Sequence, residues 1–223
     1  MNIYDDILLD LQQFHCQQLW KFCKNFSNIR RDNYGLKLID NIDYFIDIGS
    51  CLGEVAFTAH KLYNPTKIIA VEASSKNFQC LSNNIGDLDN IILYNKAIYH
   101  TDNVLVELIE DINNIGQNKI NDYLVSDTNL VETITIDNIF DKHNIDMRSN
   151  IFIKIDCEGS EKYLLNNPLL LECKQISIEI HERDKDVKKI CDLFYKKILQ
   201  SHIIVKGNRK IGKNYEIIFQ KKC

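Results

Sequence analysis

Residues 44–53 read YFIDIGSCLG, an apolar strand pattern that runs into a glycine-bearing turn at the start of a helix. After the turn, a second apolar strand at 68–71 ends on Glu72. A turn from a strand end to a helix N-terminus presents free backbone N–H groups, and a carboxylate that closes the next strand can accept hydrogen bonds from ribose hydroxyls. The pattern therefore predicts a nucleoside site.

The spacing of the glycines indicates which nucleoside is bound. A dinucleotide loop reads G-x-G-x-x-G, and its second glycine lets the backbone approach a pyrophosphate. Here Cys51 occupies that position, so a diphosphate fits poorly and a dehydrogenase is disfavoured. The D-I-G-S-C-L-G loop resembles the first motif of class I S-adenosylmethionine methyltransferases, whose glycines admit a methionine tail without phosphates. The alternative is a loop that only connects a strand to a helix.

Composition predicts one α/β domain over 1–223, with a helical extension at 1–40 and a catalytic core at 41–223. The net charge of −4 and the pI near 5.9 provide no general attraction for a polyanion, so nucleic acid is not an expected partner. The eight cysteines include no C-x-x-C pair and no zinc-like spacing with histidines, so we expect reduced thiols in the cytoplasm. No signal-peptide core or membrane-length apolar run is present, and no membrane partner is expected.

Alternation of strand and helix patterns predicts a doubly wound, mostly parallel α/β sheet. The predicted strands of this sheet are 44–48, 67–72, 90–94, 150–156, 175–181, 202–206 and 215–220; the predicted helices are 3–26, 53–63, 75–84, 137–143, 159–166 and 187–198. The last two strands leave no room for a helix between them and must form an antiparallel hairpin. Two further strand patterns, at 104–109 and 133–136, predict a β-rich insertion after the third strand, at the ligand edge of the sheet.

A second concentrated signal is FIKIDCEGSE at 152–161, a buried strand that releases three carboxylates at its C-terminal end. Ligands of open α/β sheets bind at that edge. Together with FIDIGSCLG, IIAVEAS, the NKA turn, TITIDNIF and ISIEIH, this run resembles the FkbM family of methyltransferases over roughly residues 42–182. The resemblance implies a seven-stranded, Rossmann-like methyltransferase fold.

The resemblance also implies S-adenosylmethionine as the methyl donor, S-adenosylhomocysteine as the product, and a small hydroxylated acceptor, with a sugar as the expected class. By position, Gly49 and Gly53 border the methionine tail, and Glu72 binds the ribose. The full predicted cofactor-binding set is Asp47, Gly49, Ser50, Gly53, Glu72, Ala73, Ser74, Asn95, Ala97 and Asp156.

The sulfonium methyl group is already activated, so the enzyme must align an acceptor oxygen with it and remove the hydroxyl proton. The predicted catalytic residues are Asp156, Glu158 and His181, with His181 as a base whose pKa lies near the working pH. The alternatives are that Glu158 or Glu161 caps the following helix and that His181 is only a satisfied polar residue. No metal site is predicted, since a divalent ion between Asp156 and Glu158 has no supporting histidine cluster.

Two other functions stay open. Lys154, Asp156 and Glu158 loosely resemble the lysine-carboxylate set of RNA 2′-O-methyltransferases, and Cys51 in the glycine loop is compatible with an inactive binding or scaffolding protein. Two structural predictions remain, one from the polar, Asn-rich sequence of the insertion and one from the alignment of the strand ends. The insertion at 100–132 is expected to form the wall of the acceptor site and to be partly mobile, and Lys154 is expected to pair with Asp47, Glu179 or both. The sequence indicates no oligomeric state.

Overall fold

The computed structural model describes residues 6–7, 10–11, 13, 34–111, 117–121, 129–182, 185–210 and 213–222. Most of the helix predicted at 3–26 and parts of the insertion lie outside these residues. Within the described part, 6–7 and 10–11 are helical, and Ile7 and Leu11 are buried in the core. No helix among the described residues is both long and apolar enough to cross a membrane.

The chain alternates strands with helices through most of its length. In chain order the strands are β1 (Tyr44–Ile48), β2 (Lys67–Val71), β3 (Ile91–Tyr94), β4 (Ala97–Ile98), β5 (Leu105–Ile109), β6 (Lys119–Asn121), β7 (Leu130–Ile134), β8 (Ile151–Ile155), β9 (Gln175–His181), β10 (His202–Gly207) and β11 (Asn214–Lys221). The α-helices are α1 (Glu54–Tyr63), α2 (Ser75–Ile85), α3 (Ile136–Lys142) and α4 (Lys185–Ser201), and short 3₁₀ helices cover Ser160–Tyr163 and Pro168–Leu171.

The main sheet has seven strands in the order β10-β11-β9-β8-β1-β2-β3. Strand β11 runs antiparallel to β9 and β10, while the pairs from β9 to β3 are parallel. Isoleucine-rich strands such as β8, buried along its whole length, suit a parallel sheet that is covered on both faces. The predicted doubly wound, mostly parallel seven-stranded sheet with a C-terminal antiparallel hairpin is confirmed.

The sheet separates two apolar cores. On one face, Phe45 and Phe152 pack edge to face, 5.1 Å between ring centres, beneath α1, α2 and residues 34–42. On the other face, α3 and α4 cover the alternate isoleucines of β1, β8 and β9. Strand periodicity sends neighbouring residues to opposite faces, so Asp47 and Lys154 belong to the face covered by α1 and residues 34–42.

The insertion after β3 forms a separate four-stranded sheet in the order β4-β7-β5-β6. Ala97, Val106, Leu108 and Val131 make its small core. The predicted β-rich insertion is confirmed, although β4 and β6 were not predicted because two- and three-residue strands carry little periodicity. Its role as an acceptor wall and its mobility stay predictions.

Two expectations are wrong. The helix predicted at 159–166 is a single 3₁₀ turn at Ser160–Tyr163, because Gly159 has a φ of +111° and the Glu161 side chain holds the preceding backbone in a tight turn. The prediction that all eight cysteines are reduced thiols fails at Cys80, which is part of a disulfide bond.

Candidate active site

The ends of the central parallel strands meet at one edge of the sheet. Gly49 follows β1, Glu72 follows β2, Asp156 follows β8, and His181 closes β9. Gly49 has a φ of +77°, and a Cβ built on it would lie 1.9 Å from the backbone oxygen of Asp156. Glycine is therefore required where the loop after β1 crosses the end of β8.

The glycine loop is tied to β2 through its backbone. The N–H groups of Gly49 and Ser50 donate to the carbonyl oxygen of Val71 at 2.9 and 3.0 Å, and the N–H of Cys51 donates to Glu72 Oε2 at 2.9 Å. The expectation of free N–H groups is therefore wrong for these three residues, because the end of β2 supplies their acceptors.

Three predicted cofactor residues lie in or beside this loop with distinct surroundings. Ser50 is buried and donates its hydroxyl to the carbonyl of Asp47 at 2.7 Å. Gly53 has a φ of +91°, and an added Cβ would approach Leu81 of α2 within 2.7 Å, so this glycine allows the two helices to pack closely. Asp47 is fully buried, and its Oδ2 has no hydrogen-bond partner among the described residues.

Glu72 joins the loops after β1 and β2. Its Oε2 accepts from Cys51, and its Oε1 accepts the backbone N–H of Ser74 at 2.9 Å. Burial raises the pKa of Glu72 to about 7, although the backbone N–H groups of Ser74 and Cys51 oppose this. The Asn77 side chain also hydrogen-bonds to Glu72, and a carboxylate with about four acceptor sites then retains capacity for one further donor.

The predicted cofactor residues Ala73, Asn95 and Ala97 lie in the loop after β2, just after β3 and in β4, respectively. Asn95 donates to the carbonyls of Glu72 and Ala73 at 3.0 and 3.1 Å, so it supports the loop backbone. Ala73 packs beside the small core of the insertion, and Ala97 is buried within that core.

Ser74 connects the main sheet to the insertion. Its hydroxyl oxygen caps α2 by accepting the N–H of Asn77, and the hydroxyl donates to Glu110 Oε1 at 2.7 Å. Glu110, just after β5, also pairs with Lys76 at 2.7 Å, and the Lys76 hydrogen bond is the main cause that lowers the pKa of Glu110. The sequence alone did not reveal Glu110, since no motif links an insertion strand to this loop.

Lys154 lies buried beneath the glycine loop. Its Nζ donates to the Gly49 carbonyl at 2.6 Å and lies 3.1 Å from Asp47 Oδ1. Burial lowers the pKa of Lys154, but Asp47 and Asp156 outweigh it and the net shift is upward. The predicted pairing with Asp47 is confirmed. The predicted alignment with Glu179 is wrong, because the register of β8 and β9 places Ser177 opposite Lys154.

His181 is held between two carboxylates. Its Nδ1 donates to Glu161 Oε1 at 3.1 Å, and its Nε2 lies 3.1 Å from Glu158 Oε2. Burial lowers the pKa of His181, but Glu158 and Glu161 have a larger opposite effect, and the net result is a pKa raised to about 10. The expectation of a pKa near the working pH is therefore wrong, and an imidazolium has no lone pair with which to take a proton.

The turn after β8 explains how Glu158 and Glu161 reach the histidine. Glu161 Oε1 also accepts the N–H groups of Cys157 and Gly159 at 3.2 and 3.0 Å, which is the capping role considered as the alternative. Glu158 has a φ of +53°, a conformation that few residues other than glycine adopt. This turn directs Glu158 toward His181 on the neighbouring strand.

Asp156 follows β8 directly, and its backbone lies against Gly49 of the glycine loop. Its Oδ2 accepts a hydrogen bond from the hydroxyl of Tyr34 at 3.3 Å. Burial raises the pKa of Asp156, Glu158 and Glu161 add to this, and Lys154 and His181 oppose it. Tyr34 was missed because 122 positions separate it from Asp156 and no local pattern marks it.

The structure thus brings Asp156, Glu158 and His181 together at the end of β8 and β9, beside the loop that carries Gly49. Among the described residues, no group of three or more His, Cys, Asp or Glu side chains is arranged to hold a metal ion. A buried carboxyl group with a raised pKa, next to a nucleoside-type loop, is suited to receive a proton from a bound substrate.

Known proteins share both the sequence pattern and the fold. A model of the methyltransferase FkbM domain matches residues 47–201. A Streptococcus mutans protein assigned as a methyltransferase, in complex with SAH (S-adenosylhomocysteine), is similar with a TM-score of 0.50 and 10% identity over 88% of this chain and 97% of that chain. A Pyrococcus horikoshii protein assigned as an RNA methyltransferase gives a TM-score of 0.48 and 10% identity over 99% of this chain and 97% of that chain.

No curated protein matches the chain. The similarity to the Streptococcus mutans protein concerns the fold alone, which agrees with the strand order described above. The family model covers more than half of the 223 residues and includes both motif-bearing strand ends. The chain therefore belongs to the FkbM family of methyltransferases.

Proposed function

We propose that this protein transfers the methyl group of S-adenosylmethionine to a hydroxyl group of a small, uncharged acceptor, with a sugar as the expected class. The observation that carries the proposal is the partly buried carboxyl group of Asp156, which lies where the glycine loop crosses the end of β8. Methyl transfer to a hydroxyl needs a proton acceptor at this junction, whereas a neutral amine can be methylated without one.

The residues beside the loop suit S-adenosylmethionine. Asp47 Oδ2 is a buried anionic atom with no hydrogen-bond donor among the described residues, which fits the ammonium group of the methionine tail. The remaining acceptor capacity of Glu72 fits a ribose hydroxyl. The fold-level similarity to an SAH-bound protein supports the same donor.

When bound, the sulfonium group supplies an activated methyl group. The protein then has to orient the acceptor and remove its proton. Asp156 accepts the hydroxyl proton, and Lys154 nearby favours the ionised carboxylate that this step requires. Glu158 accepts a hydrogen bond from a second hydroxyl of the substrate, while the His181 imidazolium holds Glu158 in place.

The charges around Asp156 indicate the kind of acceptor. Glu158 and Glu161 raise the pKa of Asp156, and Asp156, Glu158 and Glu216 raise the pKa of Glu179, so the site is rich in negative charge. Phosphate groups would be repelled, whereas the hydroxyls of a neutral sugar can donate to these carboxylates. This argues against the RNA reading, in which Lys154 would face the substrate; here Lys154 is buried against Asp47.

An aromatic cluster joins the insertion to the 3₁₀ turn after β8. Tyr99, which follows β4, packs against Tyr163 with ring centres 4.5 Å apart and against His100 at 4.1 Å. Partly exposed rings of this kind provide a flat apolar surface for the C–H face of a sugar. They support a sugar over a fully polar or highly charged acceptor.

The test combines donor binding with an acceptor screen. Calorimetry with SAH should detect binding, and mass spectrometry should detect methyl transfer to members of a panel of neutral sugars. Asp156→Asn should lower turnover by about a hundredfold or more, with SAH affinity changed by less than about threefold. Asp146→Asn, which changes an exposed carboxylate at the opposite edge of the sheet, should have no effect.

Three outcomes would contradict the proposal. Absence of SAH binding would favour the scaffolding alternative. Methylation of nitrogen or carbon but of no hydroxyl would exclude the assigned reaction. Full turnover in the Asp156→Asn variant would remove Asp156 as the proton acceptor.

A further inference from the structure

The segment that precedes β1 contributes a side chain to the active site. Tyr34 lies outside residues 47–201, which the family model matches, yet it is only 4% exposed. Its hydroxyl donates to Asp156 Oδ2 at 3.3 Å, and its ring centre lies 5.5 Å from Lys154 Nζ. The Tyr34 side chain therefore lies against both Lys154 in β8 and Asp156 just after it, at the edge proposed for methyl transfer.

The backbone that carries Tyr34 is fixed by long-range hydrogen bonds. The buried side chain of Gln175 donates to the Gly35 carbonyl at 2.7 Å, and Tyr63 donates to the Ile39 carbonyl at 2.9 Å. Gly35 has a φ of +72°, and a Cβ there would lie 2.6 Å from Ile218 of β11. The segment thus lies tightly against the sheet and leaves Tyr34 little freedom to move away from Asp156.

We propose that Tyr34 is a positioning residue of the active site, whose hydroxyl fixes the orientation of the Asp156 carboxylate so that Oδ1 faces the acceptor hydroxyl. The aromatic ring covers Lys154 and excludes water from the ion pair below it. This inference rests on the proposed function for the role of Asp156. It assigns part of the site to a segment ahead of the matched family domain.

The hydrogen bond has a predictable electrostatic effect. The charged and titratable groups that face Asp156 from the surrounding elements are Lys154, Glu158, Glu161, Glu179, His181 and Glu216. Burial and the acidic members of this set raise the pKa of Asp156, while a hydroxyl that donates to the carboxylate favours its ionised form. Loss of the Tyr34 hydroxyl should therefore raise the pKa of Asp156.

The experiment measures this titration directly. Protein labelled with carbon-13 at the aspartate carboxyls is titrated by NMR, and the Asp156 signal is assigned by its loss in the Asp156→Asn variant. Tyr34→Phe keeps the ring over Lys154 and removes only the hydroxyl. The midpoint of the Asp156 titration should rise by about one pH unit, the effect of one hydrogen bond to a charged group.

Tyr63→Phe is the matched control. Tyr63 holds the same segment through the carbonyls of Leu36 and Ile39 rather than through Asp156. The midpoint of the Asp156 titration in Tyr63→Phe should match that of the unmodified protein. Equal shifts in both variants would mean that loosening of the segment, rather than the Tyr34 hydroxyl, causes the effect, and would overturn the inference.

The titration needs neither acceptor nor cofactor, so it is independent of the proposed function. An unshifted Asp156 signal in Tyr34→Phe overturns the role of Tyr34 alone, whereas a fully active Asp156→Asn protein overturns the proposed reaction. With an acceptor from the screen, the acidic limb of the kcat/KM profile should move up by the same amount in Tyr34→Phe. An unmoved limb would contradict the positioning role.

Discussion

Binding of the nucleoside product should depend on pH through Glu72. Burial raises the pKa of this carboxyl to about 7 in the ligand-free protein, so it is partly protonated near neutrality. A ribose hydroxyl that donates to the carboxylate favours its ionised form. Binding of SAH should therefore expel the proton, and affinity should rise with pH.

The magnitude follows from the pKa. If the bound form is fully ionised, the apparent Kd is proportional to 1 + 10^(pKa − pH), with a pKa of about 7. The affinity at pH 6 should then be weaker by about tenfold than at pH 8, and about half a proton should be released per ligand at pH 7.

Isothermal titration calorimetry with SAH measures both quantities. Affinities are taken at pH 6, 7 and 8, and the proton count comes from repeating the pH 7 titration in buffers with different ionisation enthalpies. Glu72→Gln cannot ionise, so it should bind more weakly and with no such pH dependence. Glu179→Gln is the matched control, because burial also raises the pKa of Glu179 to about 7 but this residue lies on β9, away from the ribose site.

The reasoning would be refuted by an affinity that stays constant between pH 6 and pH 8 in the unmodified protein. It would equally fail if the dependence persisted in Glu72→Gln or disappeared in Glu179→Gln. The second pattern would locate the titrating group on the acceptor side.

Three further outcomes are expected in urea denaturation. Gly49→Ala should lower the free energy of unfolding by at least about 3 kcal/mol, because the new Cβ would lie 1.9 Å from a backbone oxygen at the end of β8. Gly159 has a φ of +111° and no atom within 4 Å of an added Cβ, so Gly159→Ala should lower it by only about 1 to 2 kcal/mol through backbone strain. Lys154→Met should cost about 3 to 5 kcal/mol by leaving the buried Asp47 carboxylate unpaired, and adding Asp47→Asn should restore most of it. His181, with its pKa raised from 6.5 to about 10, contributes stability that is complete below pH 6.5 and is lost as the pH rises through 10; His181→Gln should flatten this decline. Equal costs for the two glycine variants, a neutral Lys154→Met, or an unchanged pH profile in His181→Gln would contradict these assignments.

Much of the fold could be predicted because its signals are local. The alternation of strands and helices depends on side-chain periodicity within each segment, and nearly every predicted strand of the main sheet lies within two residues of its observed bounds. The pairing of Lys154 with Asp47 could also be predicted, since neighbouring parallel strands that end at one level align the residues two positions before their ends. The same argument failed for Glu179, because β9 extends further toward the ligand edge than β8.

The chemistry of the site was less accessible. His181 was identified, but its charge depends on Glu158 and Glu161, which reach it only because the turn after β8 folds back toward β9. The helix expected at 159–166 failed for the same reason, since the Glu161 side chain competes for the backbone groups of that turn. Side-chain partners across a turn are not visible in periodicity.

The sequence alone determined the order of the main-sheet strands, the glycine loop with its partner Glu72, and the family. These features depend on residues close together in the chain, whose patterns and backbone preferences act locally. Only the tertiary structure decided that Tyr34 reaches Asp156 across 122 positions, that Glu110 connects the insertion to the loop before α2, and that Cys80 is in a disulfide bond. Contacts of this range, and the pKa shifts caused by burial, arise when separate elements pack and exclude water from the groups between them.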